Sequence, residues 1–135
     1  MLPPAKFTDS ALEKSIVAEG SIIHAARIKG SVVGIRSRIG EKTEIIDSYL
    51  MGNDYYETLE QLLITEEKGI PAVGIGKRCL IEHAIIDKNC RIGNDVRIVG
   101  GNKIANTEHE LYTVKDEIVV VKKNAVLPDG YRIGE

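Results

Sequence analysis

The sequence predicts an all-β fold, a parallel β-helix of hexapeptide repeats. Three observations predict it: an aliphatic residue at every sixth position, small residues or glycine at fixed offsets from it, and a scarcity of large rings, with one Phe, five Tyr and no Trp in 135 residues. The aliphatic series runs Ile16, Ile22, Ile28; then Val33, Ile39, Ile45 and Met51; then Ile75 and Ile81; then Ile86, Ile92 and Ile98; and last Val120 and Val126. On a helix, at about 100° per residue, such a spacing scatters its members around the axis, whereas in an extended chain six is a multiple of two and keeps them on one face. Gly34, Gly40, Gly76 and Gly93 directly follow a member of the series, where they are expected to permit the corner. Gly20, Ala26, Ser37, Thr43, Cys79 and Cys90, four positions after a member, and Ser31, three after Ile28, are expected to fill its tight space. Three hexads then make one triangular coil.

The series slips to a five-residue step from Ile28 to Val33 and again from Ile81 to Ile86. The slips correspond at an offset of 53 residues, which also pairs Ile39 with Ile92 and Ile45 with Ile98 and points to an internal duplication. Two stretches leave the repeat, about 52–72 and about 99–117, so the expectation is about five coils with two inserted loops, all in one domain over 1–135. Within the first insertion, ETLEQLLITEEKG offers one or two amphipathic turns through Leu59, Leu62 and Leu63, expected to pack on the prism or a partner.

Composition limits the function. Apolar residues at 43% are normal for a chain with a buried core, and 18 basic against 20 acidic residues, a net charge of −2, give no reason to expect nucleic acid or a membrane as partner. No apolar run approaches a membrane span, and MLPPAKFTDS lacks a secretory hydrophobic stretch, so a cytoplasmic location is expected. Cys79 and Cys90 form neither a CxxC pair nor a disulfide framework and read as reduced core thiols. His24, His83 and His109 have no metal-ligand spacing and read as solvated wall residues. No phosphate-binding, nucleophile-elbow or dinucleotide motif is present. The basic residues Lys88, Lys122, Lys123, Arg36, Arg38, Lys77, Arg78 and Arg91 decorate outward positions; a rigid wall that converges several of them can hold a phosphorylated anion.

The segments LPPAKF, SVVGIRSRIG, IIDSYLMGNDYYET, IPAVGIGKRC, IIDKNCRIG and IVVVKKNAVLPDG, in order and over nearly the whole chain, resemble the C-terminal left-handed β-helix domain of glucose-1-phosphate adenylyltransferase (ADP-glucose pyrophosphorylase), nearer its cyanobacterial and plant type. The resemblance implies a regulatory and oligomerisation domain of a nucleotidyltransferase that makes ADP-glucose and pyrophosphate from ATP and glucose 1-phosphate for glycogen or starch synthesis. It implies as partners an N-terminal catalytic domain, to which residues 1–10 would be the linker, the other subunits of a tetramer, and a phosphorylated allosteric effector such as 3-phosphoglycerate or phosphate. Catalysis, Mg²⁺ and ATP would belong to the catalytic domain, whose glycine-rich loop is absent from these residues, leaving this domain without catalytic residues, metal or cofactor. In a plant the location would be a plastid.

Residue by residue, the resemblance puts Lys88, Lys123 and Asp54 at the effector site, with Lys115 at a position often basic in the family. Glu117, where the family often has Gly, Lys122, where it has an apolar residue, and the second insertion depart from the pattern. The repeat alone also fits a stand-alone hexapeptide acyltransferase or a purely structural assembly module.

Overall fold

The structure is a computed structural model and describes residues 6–8, 11–24, 27–101 and 103–134. Three walls of short parallel strands enclose a narrow aliphatic core. Wall A stacks Lys6–Thr8, Ile22–His24, Arg38–Ile39, Gly74–Ile75, Arg91–Ile92 and Val126–Leu127; wall B stacks Ala11–Glu13, Arg27–Lys29, Glu44–Ile46, Leu80–Glu82, Arg97–Val99 and Arg132–Ile133. Wall C stacks Ile16–Val17, Val32–Val33, Tyr49–Leu50, Ala84–Ile86 and Ile118–Val121, and is extended by the antiparallel strands Tyr112–Lys115 and Thr107–Glu108. The chain visits A, B and C in turn, so the described residues complete five coils and add two strands of a sixth. Strand pairing places each coil about 4.8 Å from the next. Lys6–Thr8 is paired with Ile22–His24, so part of the segment expected as linker already belongs to the first coil. The remainder of that expectation, at residues 1–5, 9 and 10, and the corner role of Ala26 lie outside the described residues.

The core is a column of single side chains. Ile28, Val33, Ile39, Ile45, Ile75, Ile81, Ile86, Ile92 and Ile98 point inward as the period predicts, and all are buried. Elsewhere the phase differs by one residue: Val17 rather than Ile16, Ile23 rather than Ile22, Leu50 rather than Met51, Val121 rather than Val120, and Leu127 rather than Val126 face the core. Ile16 is 67% exposed whereas Ile23 is fully buried. The cause is coil length. Among the inward-facing residues Ile23 to Ile28 and Ile45 to Leu50 are also five residues apart, so five-residue steps are more frequent than two. The residues paired by the 53-residue offset, Ile28 with Ile81 and Ile39 with Ile92, do lie two coils apart on one wall.

The corners work differently from the expectation that the glycine supplies a left-handed turn. Asp95 and Arg78, two residues beyond Gly93 and Gly76, carry the positive φ (59° and 56°), and Lys42, Asn89 and Asn124 do the same at theirs. Gly40 and Gly76 are required by crowding instead, because a Cβ on Gly40 would lie 2.6 Å from the carbonyl oxygen of Gly76 in the next coil. The small corner residues do more than fit. Ser31 N–H donates to Ser15 Oγ, Ser48 N–H to Ser31 Oγ, and Ala84 N–H to Ser48 Oγ, a ladder that climbs one coil per step. At another corner the fully buried Thr43 donates to Gly76 O at 2.8 Å and accepts from Cys79 N. Thr43→Val keeps the shape and removes both bonds; it is expected to destabilise the chain by about 1–2 kcal/mol in urea unfolding, and an unchanged midpoint would show that these two bonds are incidental.

Cys79 and Cys90 occupy corner positions, both buried and unbridged. Burial pushes both thiols up, Cys90 to about 11, which makes them poor nucleophiles at neutral pH.

Candidate functional site

Insertion one leaves the coil at the corner that joins wall C to wall A. Successive coils bring Glu19–Gly20, Ile35–Arg36, Gly52–Asn53, Lys88–Asn89 and Lys123–Asn124 to this edge, as the registers Ile86↔Val121 and Ile92↔Leu127 require for the last two pairs. Lys88 therefore lies beneath Lys123, with the Asn124 N–H donating to the Lys88 carbonyl at 3.0 Å. Both lysines sit in the corner turns rather than on the flat walls.

Asn89 fixes the third member of the group. Its left-handed conformation, φ 60°, is one that Asn tolerates better than most residues. The buried amide then faces the first residues of the insertion: Asn89 Nδ2 donates to Asp54 Oδ2 at 3.0 Å, and Asp54 N–H donates to Asn89 Oδ1 at 2.8 Å. Asp54 Oδ1 accepts the Lys88 ammonium at 3.2 Å, both side chains being about half exposed. The Asn89 amide, and after it the Lys88 hydrogen bond, hold the Asp54 carboxyl below the ordinary carboxylate range, with the Lys88 and Lys123 charges acting in the same direction against partial desolvation. Lys123 is exposed and makes no side-chain bond among the described residues. The corner thus presents one ammonium steered by a carboxylate and a second one free, on adjacent coils.

Three of the four residues singled out by the sequence, Lys88, Lys123 and Asp54, come together here. Lys115 does not. It pairs with Ile118 at the start of the strand whose other end leads to Lys123, so at least three residues, about 10 Å of strand, separate it from the group. Lys122 is occupied by Glu108 at 2.8 Å. The histidines are dispersed: His24 on wall A, His83 at a B-to-C corner 3.9 Å from both Asp47 and Glu82, and His109 stacked on Tyr112. Among the described residues no group of three or more His, Cys, Asp or Glu is placed to hold a metal ion.

Sequence reasoning missed Asn89 and the pairing of Glu57 with Arg91. Asn89 carried a signal, since an Asn after the corner lysine suits positive φ. Glu57 and Arg91 carried none, being 34 residues apart. Arg91, read as a wall residue, reaches across wall A and donates through one terminal nitrogen to Glu57 Oε2 at 3.1 Å and to Pro71 O at 3.0 Å, while Glu57 Oε1 accepts from Val73 N–H at 2.6 Å. One ion pair therefore fastens both ends of the insertion. Between them lies the helix Leu59–Glu67, started by a capping box of Thr58 and Gln61. It buries no side chain fully; Leu62 is half-buried, while Leu59 and Leu63, expected to pack with it, are exposed together with Ile64.

A triangular stack of short parallel strands, with a cationic corner at the edge of an inserted loop, defines a β-helix domain. Residues 1–131 match the GLGC left-handed parallel β-helix domain, and the chain belongs to that family. It is also similar to the small subunit of glucose-1-phosphate adenylyltransferase, chloroplastic/amyloplastic, of Triticum aestivum, at 46% identity over 132 residues, covering 96% of this chain and 28% of that protein. The chain thus spans less than a third of that relative's length. The left-handed β-helix and the C-terminal domain inferred from the motifs are both supported by these matches.

Proposed function

We propose that this chain is the regulatory and assembly domain of a glucose-1-phosphate adenylyltransferase and binds a phosphorylated effector, 3-phosphoglycerate or phosphate, at Lys88 and Lys123. The observation that carries the reading is the convergence of Lys88, Lys123 and Asp54 from three separate segments on one rigid edge. Two ammonium groups on adjacent coils suit the oxygens of a phosphate, and Asp54 keeps Lys88 aimed while Lys123 stays available. Lys115 stands away from this group and is left with no role in it.

The enzyme's reaction, forming ADP-glucose and pyrophosphate from ATP and glucose 1-phosphate, would take place on a catalytic domain that completes the effector site. The effector would act by binding two arrangements of the domains unequally. The exposed Leu59, Leu63, Ile64 and Ile70 give the domain apolar surface for contact with that domain or another subunit.

The test is a titration of this chain with 3-phosphoglycerate and with inorganic phosphate, followed by amide chemical shifts. Binding is expected to be weak, to centre on the corner of residues 87–90 and 122–125, and to drop at least about fivefold, roughly one charge-assisted contact, in Lys88→Ala and in Lys123→Ala. Binding that neither substitution weakens would exclude the assignment.

A further inference from the structure

A second cationic recess lies on the other side of the same insertion. A cavity of about 300 Å³ has Ile22, His24 and Arg38 of wall A on one side and Tyr55, Tyr56, Glu57 and Leu62 of the insertion on the other, with Arg36 and Asn53 at the corner. Register explains the grouping, since Ile22 is directly opposite Arg38 and His24 follows two residues along the same outward face.

The charges in this cavity are unbalanced. Its carboxylate, Glu57, is 4% exposed and has both oxygens engaged, one by Val73 N–H and one by Arg91 from outside the cavity. Arg36 gives one donor to the Asn53 carbonyl at 3.3 Å and keeps the others. Arg38 is exposed and its guanidinium has no hydrogen bond or ion pair among the described residues. Two guanidinium forks beside an imidazole suit the oxygens of a phosphate far better than a neutral ligand. The rest of the lining is carbon: the rings of Tyr55 and Tyr56, Ile22, Leu62 and Val73, with the Tyr56 ring held by its hydroxyl donating to Gly20 O at 2.7 Å. The volume stands at the lower limit of small-molecule sites.

We infer that this cavity binds a small phosphomonoester of at most hexose-phosphate size, with its phosphate on Arg38 and Arg36 and its carbon body against Tyr55 and Tyr56. The site is separate from the lysine corner and does not depend on the effector reading. The two share one loop, Asn53 lining the cavity while its neighbour Asp54 is bonded to Asn89 and Lys88.

The experiment titrates the chain with glucose 6-phosphate, inorganic phosphate and glucose while recording amide shifts. Glucose 6-phosphate is expected to move Ile22–His24, Arg36–Arg38 and Asn53–Glu57, inorganic phosphate to do so more weakly, and glucose to leave them still. Arg38→Gln should weaken glucose 6-phosphate at these residues at least fivefold with unchanged thermal unfolding, and Arg38→Lys, which keeps charge without the fork, should recover part of the loss. A double Lys88→Ala, Lys123→Ala variant should retain the binding. Undiminished binding by Arg38→Gln, or loss of all binding in the double lysine variant, would overturn the proposal.

Discussion

Arg91→Ala is expected to destabilise the chain by about 3 kcal/mol, the scale of removing one partner from a buried ion pair. The value is set by what stays behind. Glu57 is almost wholly buried, Arg91 is 21% exposed, and without the guanidinium the carboxylate keeps only the Val73 N–H. Pro71 O loses its donor at the same time. Because a buried pair is costly to break but often cheap to replace, Arg91→Leu combined with Glu57→Gln should recover a good part of the loss. The substituted amide would still offer an oxygen to Val73 N–H. Urea unfolding of the two single variants and the double gives the coupling directly. A coupling indistinguishable from zero would mean that the insertion is held by its wall contacts alone.

The consequence extends beyond stability, since the clamp sets where the insertion leaves and rejoins the coil. Residues 53–57 lie between the lysine corner and the Arg36–Arg38 cavity, and Glu57 closes that stretch. Loosening it should broaden the amide signals of Asn53–Glu57 before it alters the β-helix.

The repeat was legible because a coil's core admits a single side chain per wall and repeats every few residues. Which member of an apolar doublet faces inward was not legible: Ile16–Val17, Ile22–Ile23, Leu50–Met51 and Val126–Leu127 satisfy a period of six almost equally well. The choice follows from strand register, set by hydrogen bonds between coils such as Ile22 N–H to Ser37 O. The corner glycines misled for a related reason. A lone sequence does not reveal whether Gly40 serves backbone freedom or the approach of Gly76. Lys88, Lys123 and Asp54 were reached through motifs; the two lysines meet because they follow paired strands at a 35-residue offset, and Asp54 joins them through Asn89 and Lys88. The Glu57–Arg91 pair depends on how a loop folds back, and no local pattern encodes it.

Asn89→Ala should cost about 2 kcal/mol, combining two lost hydrogen bonds to Asp54 with an alanine forced into the left-handed region. Asn89→Gly separates the causes, since it accepts φ 60° freely and loses only the amide; it should fall between wild type and Asn89→Ala. The pH dependence identifies the amide's role. Asp54 is depressed in the folded chain, so its contribution is fully present above the unfolded carboxylate value of about 3.9 and is lost as pH falls through the lower folded value. Removing the largest cause of that depression brings the folded value closer to the unfolded one, while Lys88 and Lys123 still lower it. Both Asn89 variants should therefore lose less stability than wild type between about pH 4 and the folded Asp54 titration, although they are less stable at pH 7. Carboxyl chemical shifts give the Asp54 titration directly, and its upward move in both variants is the expected result. If Asp54 titrates at the same pH in Asn89→Gly as in wild type, Lys88 rather than Asn89 holds the carboxylate, and the corner depends on an ion pair that salt would screen.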